Sequence, residues 1–231
     1  MTTASEFAEL LAPIIGLHAS TIERHARHLR RAELLPPEDA PLSPEAAATL
    51  LVAVMGGRSP TEAVEAVRVI GGTPLWRRDE LLQGPDGRTV VDCVLAVDLR
   101  IPPSAGSEWA RMSRSLVGAL GYFIESARDC PGDALPEHVF IRRSLTAPLA
   151  SLATIPVQMA DGSRRALWFQ FGNVSAEAAA QYMMADLRMA IAAVAPGFLI
   201  RMIGDLLAGR PDSAVASALA VAAAVQNTGT R

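Results

Sequence analysis

Along residues 1–72 the apolar positions recur at the three- and four-residue spacing of amphipathic helices. Beyond them, short β-branched runs alternate with helical stretches. Phe7, Leu10, Leu11, Ile14 and Ile15 give an apolar face to a helix over 5–15. Pro13 removes one of its internal hydrogen bonds, which predicts a kink near its end, and Gly16 is its left-handed stop. A second helix is predicted over 19–33, ended by Pro36 and Pro37. Ser43-Pro44 opens a third, with an N-cap followed by proline at the first helical position, and Gly56-Gly57 closes it. Ser59-Pro60-Thr61-Glu62 reads as a capping box for a fourth helix reaching Ile70.

Gly71-Gly72-Thr73-Pro74 then marks a boundary. Val90, Val91, Val94, Leu95 and Val97 predict a strand over 89–101, followed by a long helix over 107–128. Strands are expected over 139–144, 152–159 and 164–171, with Asp161-Gly162 as the hairpin turn between the last two. Helices are expected over 175–194, 198–208 and 213–225, ahead of a loose terminus. The pattern predicts an α+β chain: an all-α module over 1–72, then an α+β domain over 73–231 with a small antiparallel sheet.

Composition narrows the function classes. Of 231 residues, 50 % are hydrophobic and 19 % charged, enough to fill a core and too apolar for wholesale disorder. The net charge of −3 excludes a uniformly basic nucleic-acid coat but leaves room for a local patch. All 21 basic residues are Arg, a mark of GC-rich coding rather than of mechanism. Cys93 and Cys130 form no CxxC pair, so neither a zinc site nor a disulfide framework is indicated, and two free thiols suit the cytosol. Glu6 and Glu9 do not resemble a secretory start, and the most apolar stretch, 189–200, falls short of the roughly 20 residues a bilayer span needs. A soluble, cytoplasmic protein is expected.

The stretch from Leu11 to Arg24 carries the most chemistry. Ala12 is small where two helices must cross closely. Gly16, four residues on, permits a tight turn. Leu17 is expected to plug that turn into the core, and Ile22, six residues after the glycine, to anchor the next helix. On a wheel of about 100° per residue, Ile22, Ala26 and Leu29 share one face, and Ser20, Arg24, Arg27 and Arg31 share the opposite one, with His28 at its border. Between His18 and Arg31 there are four Arg, three His and one Glu, a concentrated cationic stripe in an acidic chain.

These residues resemble the bacterial helix-turn-helix. The continuation from Leu29 to Pro36, with Leu42 to Ala53 and Ser59 to Val69, resembles winged-helix-like DNA-binding proteins of alphaproteobacterial prophages and phage-like elements. The resemblance covers about residues 1–72 and implies binding to double-stranded DNA as a homodimer or higher homo-oligomer. Ser20, Thr21 and Arg24 would read bases, and Arg24, Arg27 and Arg31, with His28 beside them, would supply affinity. Symmetric pairing would set two such helices about 34 Å apart. Two departures stand out. Glu33 replaces the glycine expected after the recognition helix, which argues against a sharp turn there. The 36–41 loop is acidic and proline-rich, which implies a reduced wing or one that does not touch DNA.

Other candidates point less far. His25 and His28 have metal-binding spacing, but no further ligand completes a site, and His25 reads as a partly buried packing residue flanking the anchoring face. Asp92 and Asp98 share one strand face, as an exposed polar face would. There is no G-x-S-x-G, P-loop or G-x-G-x-x-G, so no enzyme, cofactor or metal is expected. Phe169 and Phe171 alternate onto one strand face, with Trp168 on the other. Tyr182, Met183, Met184 and Met189 suit an adaptable interface. The expected function is a sequence-specific transcription regulator of a phage-like element. A small-terminase-like packaging subunit and a protein-interaction module without DNA are the alternatives.

Overall fold

The computed structural model describes residues 2–83, 88–95, 114–129, 136–143, 149–154, 157–158, 164–172, 191–196 and 198–210. α1 (Ala4–Ile15) begins at Thr3 because the capping box lies there: the Thr3 hydroxyl accepts from the Glu6 N–H, and the Glu6 carboxylate accepts the Thr3 N–H at 2.7 Å. The Thr3 N–H, and the Thr3 hydroxyl donating to the same carboxylate oxygen at 3.2 Å, hold the Glu6 carboxyl below its usual range. The helix runs through the exposed Pro13 and stops at Gly16, whose φ is 69°. The Leu17 N–H then bonds to the Ala12 carbonyl at 3.0 Å, closing a Schellman turn.

α2 (Ala19–Arg31) ends in the same motif. Leu34 N–H reaches Leu29 O and Glu33 N–H reaches Arg30 O, both at 2.9 Å. Glu33 takes a φ of 59°, so the sharp turn that its missing glycine argued against is made nonetheless, with a side chain in left-handed backbone. α3 (Pro44–Gly56) is capped by Ser43, whose hydroxyl accepts from the Ala46 N–H. α4 (Pro60–Ala66) is capped by Ser59, but Glu62 takes the Arg58 N–H instead of closing the box on Ser59. It passes into a π-helical turn at Val67–Gly71 rather than continuing as α-helix to Ile70.

The strands are β1 (Leu75–Gln83), β2 (Thr89–Leu95), β3 (Pro136–Arg143), β4 (Leu149–Thr154), β5 (Val157–Gln158), β6 (Arg164–Gly172) and β7 (Ile191–Pro196). They form one seven-stranded sheet in the order β2-β1-β6-β4-β3-β7, with β5 added to β6, and every pairing is antiparallel. The sheet is larger than the small one expected. β1 was not predicted, because Arg77, Arg78, Asp79 and Glu80 interrupt its apolar pattern. The helix expected over 175–194 is corrected at its end: Ile191 to Val194 belong to β7, where Val194 pairs with Phe140. The 152–159 strand divides into β4 and β5. The Asp161-Gly162 turn, Cys130, Asp98, Tyr182, Met183, Met184, Met189 and the 213–225 helix lie outside the described residues.

α5 (Leu116–Asp129) packs between α3 and α6 (Phe198–Leu207). The helices approach closely enough that a Cβ on Gly121 would lie 3.3 Å from Glu45 Cα, and one on Gly204 2.7 Å from Ala127 Cβ. Phe169 and Phe171 are buried as their alternation predicted, and the Phe123 ring meets Phe169 at 6.1 Å. One apolar core runs from Ala4 to Leu206. Backbone and side-chain bonds tie its ends together: the Thr2 hydroxyl donates to Leu206 O at 2.9 Å, and Leu116 N–H donates to Thr73 O at 3.0 Å. Among the described residues no helix is long and apolar enough to cross a membrane.

Candidate nucleic-acid interface

α2 packs against α1, α3 and α4 and leaves its other side to solvent. Its buried residues are Ile22, His25, Ala26 and Leu29, the i, i+3, i+4, i+7 set of a single helical face. Ser20, Arg24, Arg27 and Arg31 are exposed on the other side, and Thr21 and His28 are half-buried at its margins. The structure therefore brings together all six residues singled out from the sequence. Ala12 is buried at the crossing of α1 and α2.

Electrostatics sharpen this face. Among the described residues Arg24, Arg27 and Arg31 have no ion-pair or hydrogen-bonding side-chain partner. The one carboxylate on α2, Glu23, is drawn toward α1 by the Ser5 hydroxyl, which donates to it at 2.8 Å. Arg30 points elsewhere: its Nε donates to Pro36 O at 3.2 Å and its guanidinium lies 3.9 Å from Glu38. Of the four arginines, three face solvent and one fastens the following loop. Sequence reasoning missed the roles of Ser5 and Arg30, for which spacing along α2 holds no signal.

Two expectations are corrected. Leu17 does not plug the turn into the core; its side chain is 39 % exposed, and its backbone N–H does the fastening instead. His25 does not merely flank the anchoring face. It is 2 % exposed, and neither ring nitrogen has a hydrogen-bond partner among the described residues. Burial holds the ring below the usual histidine range, and the positive neighbours Arg24 and His28 push the same way. The signal was available, because His25 completes the buried spacing set of Ile22, Ala26 and Leu29.

No strand lies between α2 and α3, so that connection forms no wing hairpin. Among the described residues no group of three or more His, Cys, Asp or Glu is placed to hold a metal. Compared with known proteins, the chain matches no protein-family model, no curated protein and no solved structure.

Proposed function

We propose that the exposed face of α2 binds double-stranded DNA sequence-specifically, and that the chain works in the cytoplasm as a homo-oligomeric transcription regulator of a phage-like element. In this reading residues 73–231 form an α+β domain that pairs subunits, and no cofactor takes part. One observation carries the reading: three arginines without partners among the described residues line one face of a helix that is anchored on its other side, in a chain of net charge −3. An unpaired guanidinium is ready to bridge a guanine edge or a phosphate. Ser20, Thr21 and Arg24, in the N-terminal half of α2, are assigned to bases. Arg27 and Arg31 are assigned to phosphates, with His28 beside them. Glu33, Glu38 and Asp39, just past the helix, disfavour phosphate there and so favour entry by the N-terminal half.

The test is a fluorescence-anisotropy titration against genomic DNA fragments at several salt concentrations. Wild-type binding is expected to weaken steeply with salt. Arg27→Ala and Arg31→Ala should each flatten the logarithmic salt slope by about 1, the share of a single neutralised phosphate. Arg24→Ala should instead lower discrimination between fragments, by about 1–3 kcal/mol at one base position. Unchanged slopes in both phosphate variants, or no binding by the folded protein at low salt, would overturn the proposal.

A further inference from the structure

Among the described residues the core contains five buried polar or charged side chains: Thr2, His25, Thr49, Thr73 and Asp205. Thr2, Thr49 and Thr73 donate to backbone carbonyls, and Asp205 accepts from Arg210. His25 alone among them has no such bond, and it lies in the docking face of the helix that carries the cationic stripe. A valine or leucine would fill an apolar position without an unsatisfied nitrogen, so the imidazole calls for an explanation.

We propose that His25 is a proton-operated latch on α2: the neutral ring lets the helix dock, and protonation undocks it and dismantles the cationic face. The undocking half stands on the packing of α2 alone, and its consequence for DNA rests on the function proposed above. Protonation would place a charge and two N–H donors in an apolar contact where neither ring nitrogen has a partner among the described residues. Among the described residues no neighbouring element offers a buried anion. α1 carries Glu6 and Glu9, both exposed, and Glu6 is engaged by Thr3. α3 carries Glu45, half-buried beside Gly121. α4 carries Glu62, half-buried and accepting from the Arg58 N–H, and the exposed Glu65, with exposed Arg68 in the turn that follows. On α2 itself Glu23 is engaged by Ser5, and the charges that reach the ring are those of Arg24 and His28, both repelling a proton.

The sign follows from linkage. The docked state takes up a proton less readily than the undocked one, so docking is intact above the ordinary histidine range, about pH 6.5, and is lost as pH falls below it. This direction is diagnostic. Added positive charge by itself would strengthen DNA binding rather than weaken it.

The experiment follows full-length protein from pH 7.5 to pH 5.0 at fixed ionic strength, a range set around the histidine transition and above most carboxylate titration. Hydrogen-exchange protection of the α2 amides is measured without DNA, and affinity for a genomic fragment in parallel. Wild type is expected to lose both together on acidification, with a limiting slope of about tenfold per pH unit for one proton. His25→Leu is expected to keep its protection and to bind DNA no more weakly in acid. Should that variant not fold, ring-carbon NMR of the wild type replaces it: one histidine titrating below the others, in step with loss of α2 protection, supports the latch. Unchanged protection down to pH 5.0, the same loss in His25→Leu, or a buried histidine that titrates without loss of protection would overturn it. If α2 protection falls in acid while DNA is bound at no pH, the latch stands and the DNA reading fails.

Discussion

Glu33 and Arg210 stand in two copies of one turn, Glu33 at its left-handed position and Arg210 one residue past that position, and they solve different problems. At the end of α2, Glu33 takes the left-handed position that glycine takes at Gly16 and Gly209. A Cβ in that conformation costs roughly 1–2 kcal/mol, partly offset by the lower backbone entropy cost of a residue other than glycine. Glu33→Gly is therefore expected to raise stability by about 1 kcal/mol in urea unfolding, and the β-branched Glu33→Val to lower it. At the end of α6 the turn closes through Arg210 N–H to Asp205 O at 2.8 Å. The Arg210 side chain then bonds to the buried Asp205 carboxylate at 2.8 and 3.0 Å and to Arg128 O at 3.1 Å. Arg210→Ala strips that carboxylate of this partner and should cost about 1–3 kcal/mol, read by the same measurement.

Between elements, small residues set the distances. α5 and α6 meet at Gly204, where an added Cβ would stand 2.7 Å from Ala127 Cβ and 2.8 Å from the Arg128 nitrogen. The second neighbour is backbone and has little room to give. Gly204→Val is expected to push the two helices apart and lower stability by about 1–3 kcal/mol, with the thermal midpoint falling accordingly. α2 depends on its neighbours in another way. With only four buried residues and a largely charged remainder, it gains stability from docking rather than from its own sequence. That dependence makes its position sensitive to one buried imidazole.

Across the whole molecule, the helical segment and the sheet layer share one core. α3 is buried at nearly every position from Pro44 to Ala53, which one set of neighbours does not accomplish: α2 and α4 pack on it, and so does α5. A fragment of residues 1–72 would leave the α5-facing side of α3 in water and would lack the Leu206 carbonyl that receives the Thr2 hydroxyl. The fragment is expected to show no cooperative urea transition by circular dichroism, whereas the full chain unfolds in one. A fragment that unfolds cooperatively with the stability of the full chain would contradict this account of the core.

Features governed by local physics can be read from the chain without its fold. Caps at Ser43 and Ser59, stops at Gly16 and Gly57, and the spacing of Ile22, Ala26 and Leu29 against Ser20, Arg24, Arg27 and Arg31 are short-range patterns, and the helices they predict are present. The alternation of Phe169 and Phe171 likewise located their buried face. The remaining features arise from contacts between distant segments. β1 exists because β2 and β6 flank it, which outweighs the charges in its middle. Ile191 to Val194 form a strand because β3 offers them an edge, although their composition suits a helix. Ser5 holds Glu23 from 18 residues away, so the arginines beside it lack a partner among the described residues. Helix caps and faces depend on residues within a turn or two of each other, whereas strand pairing, a diverted carboxylate and the isolation of the His25 ring depend on residues that only folding brings together.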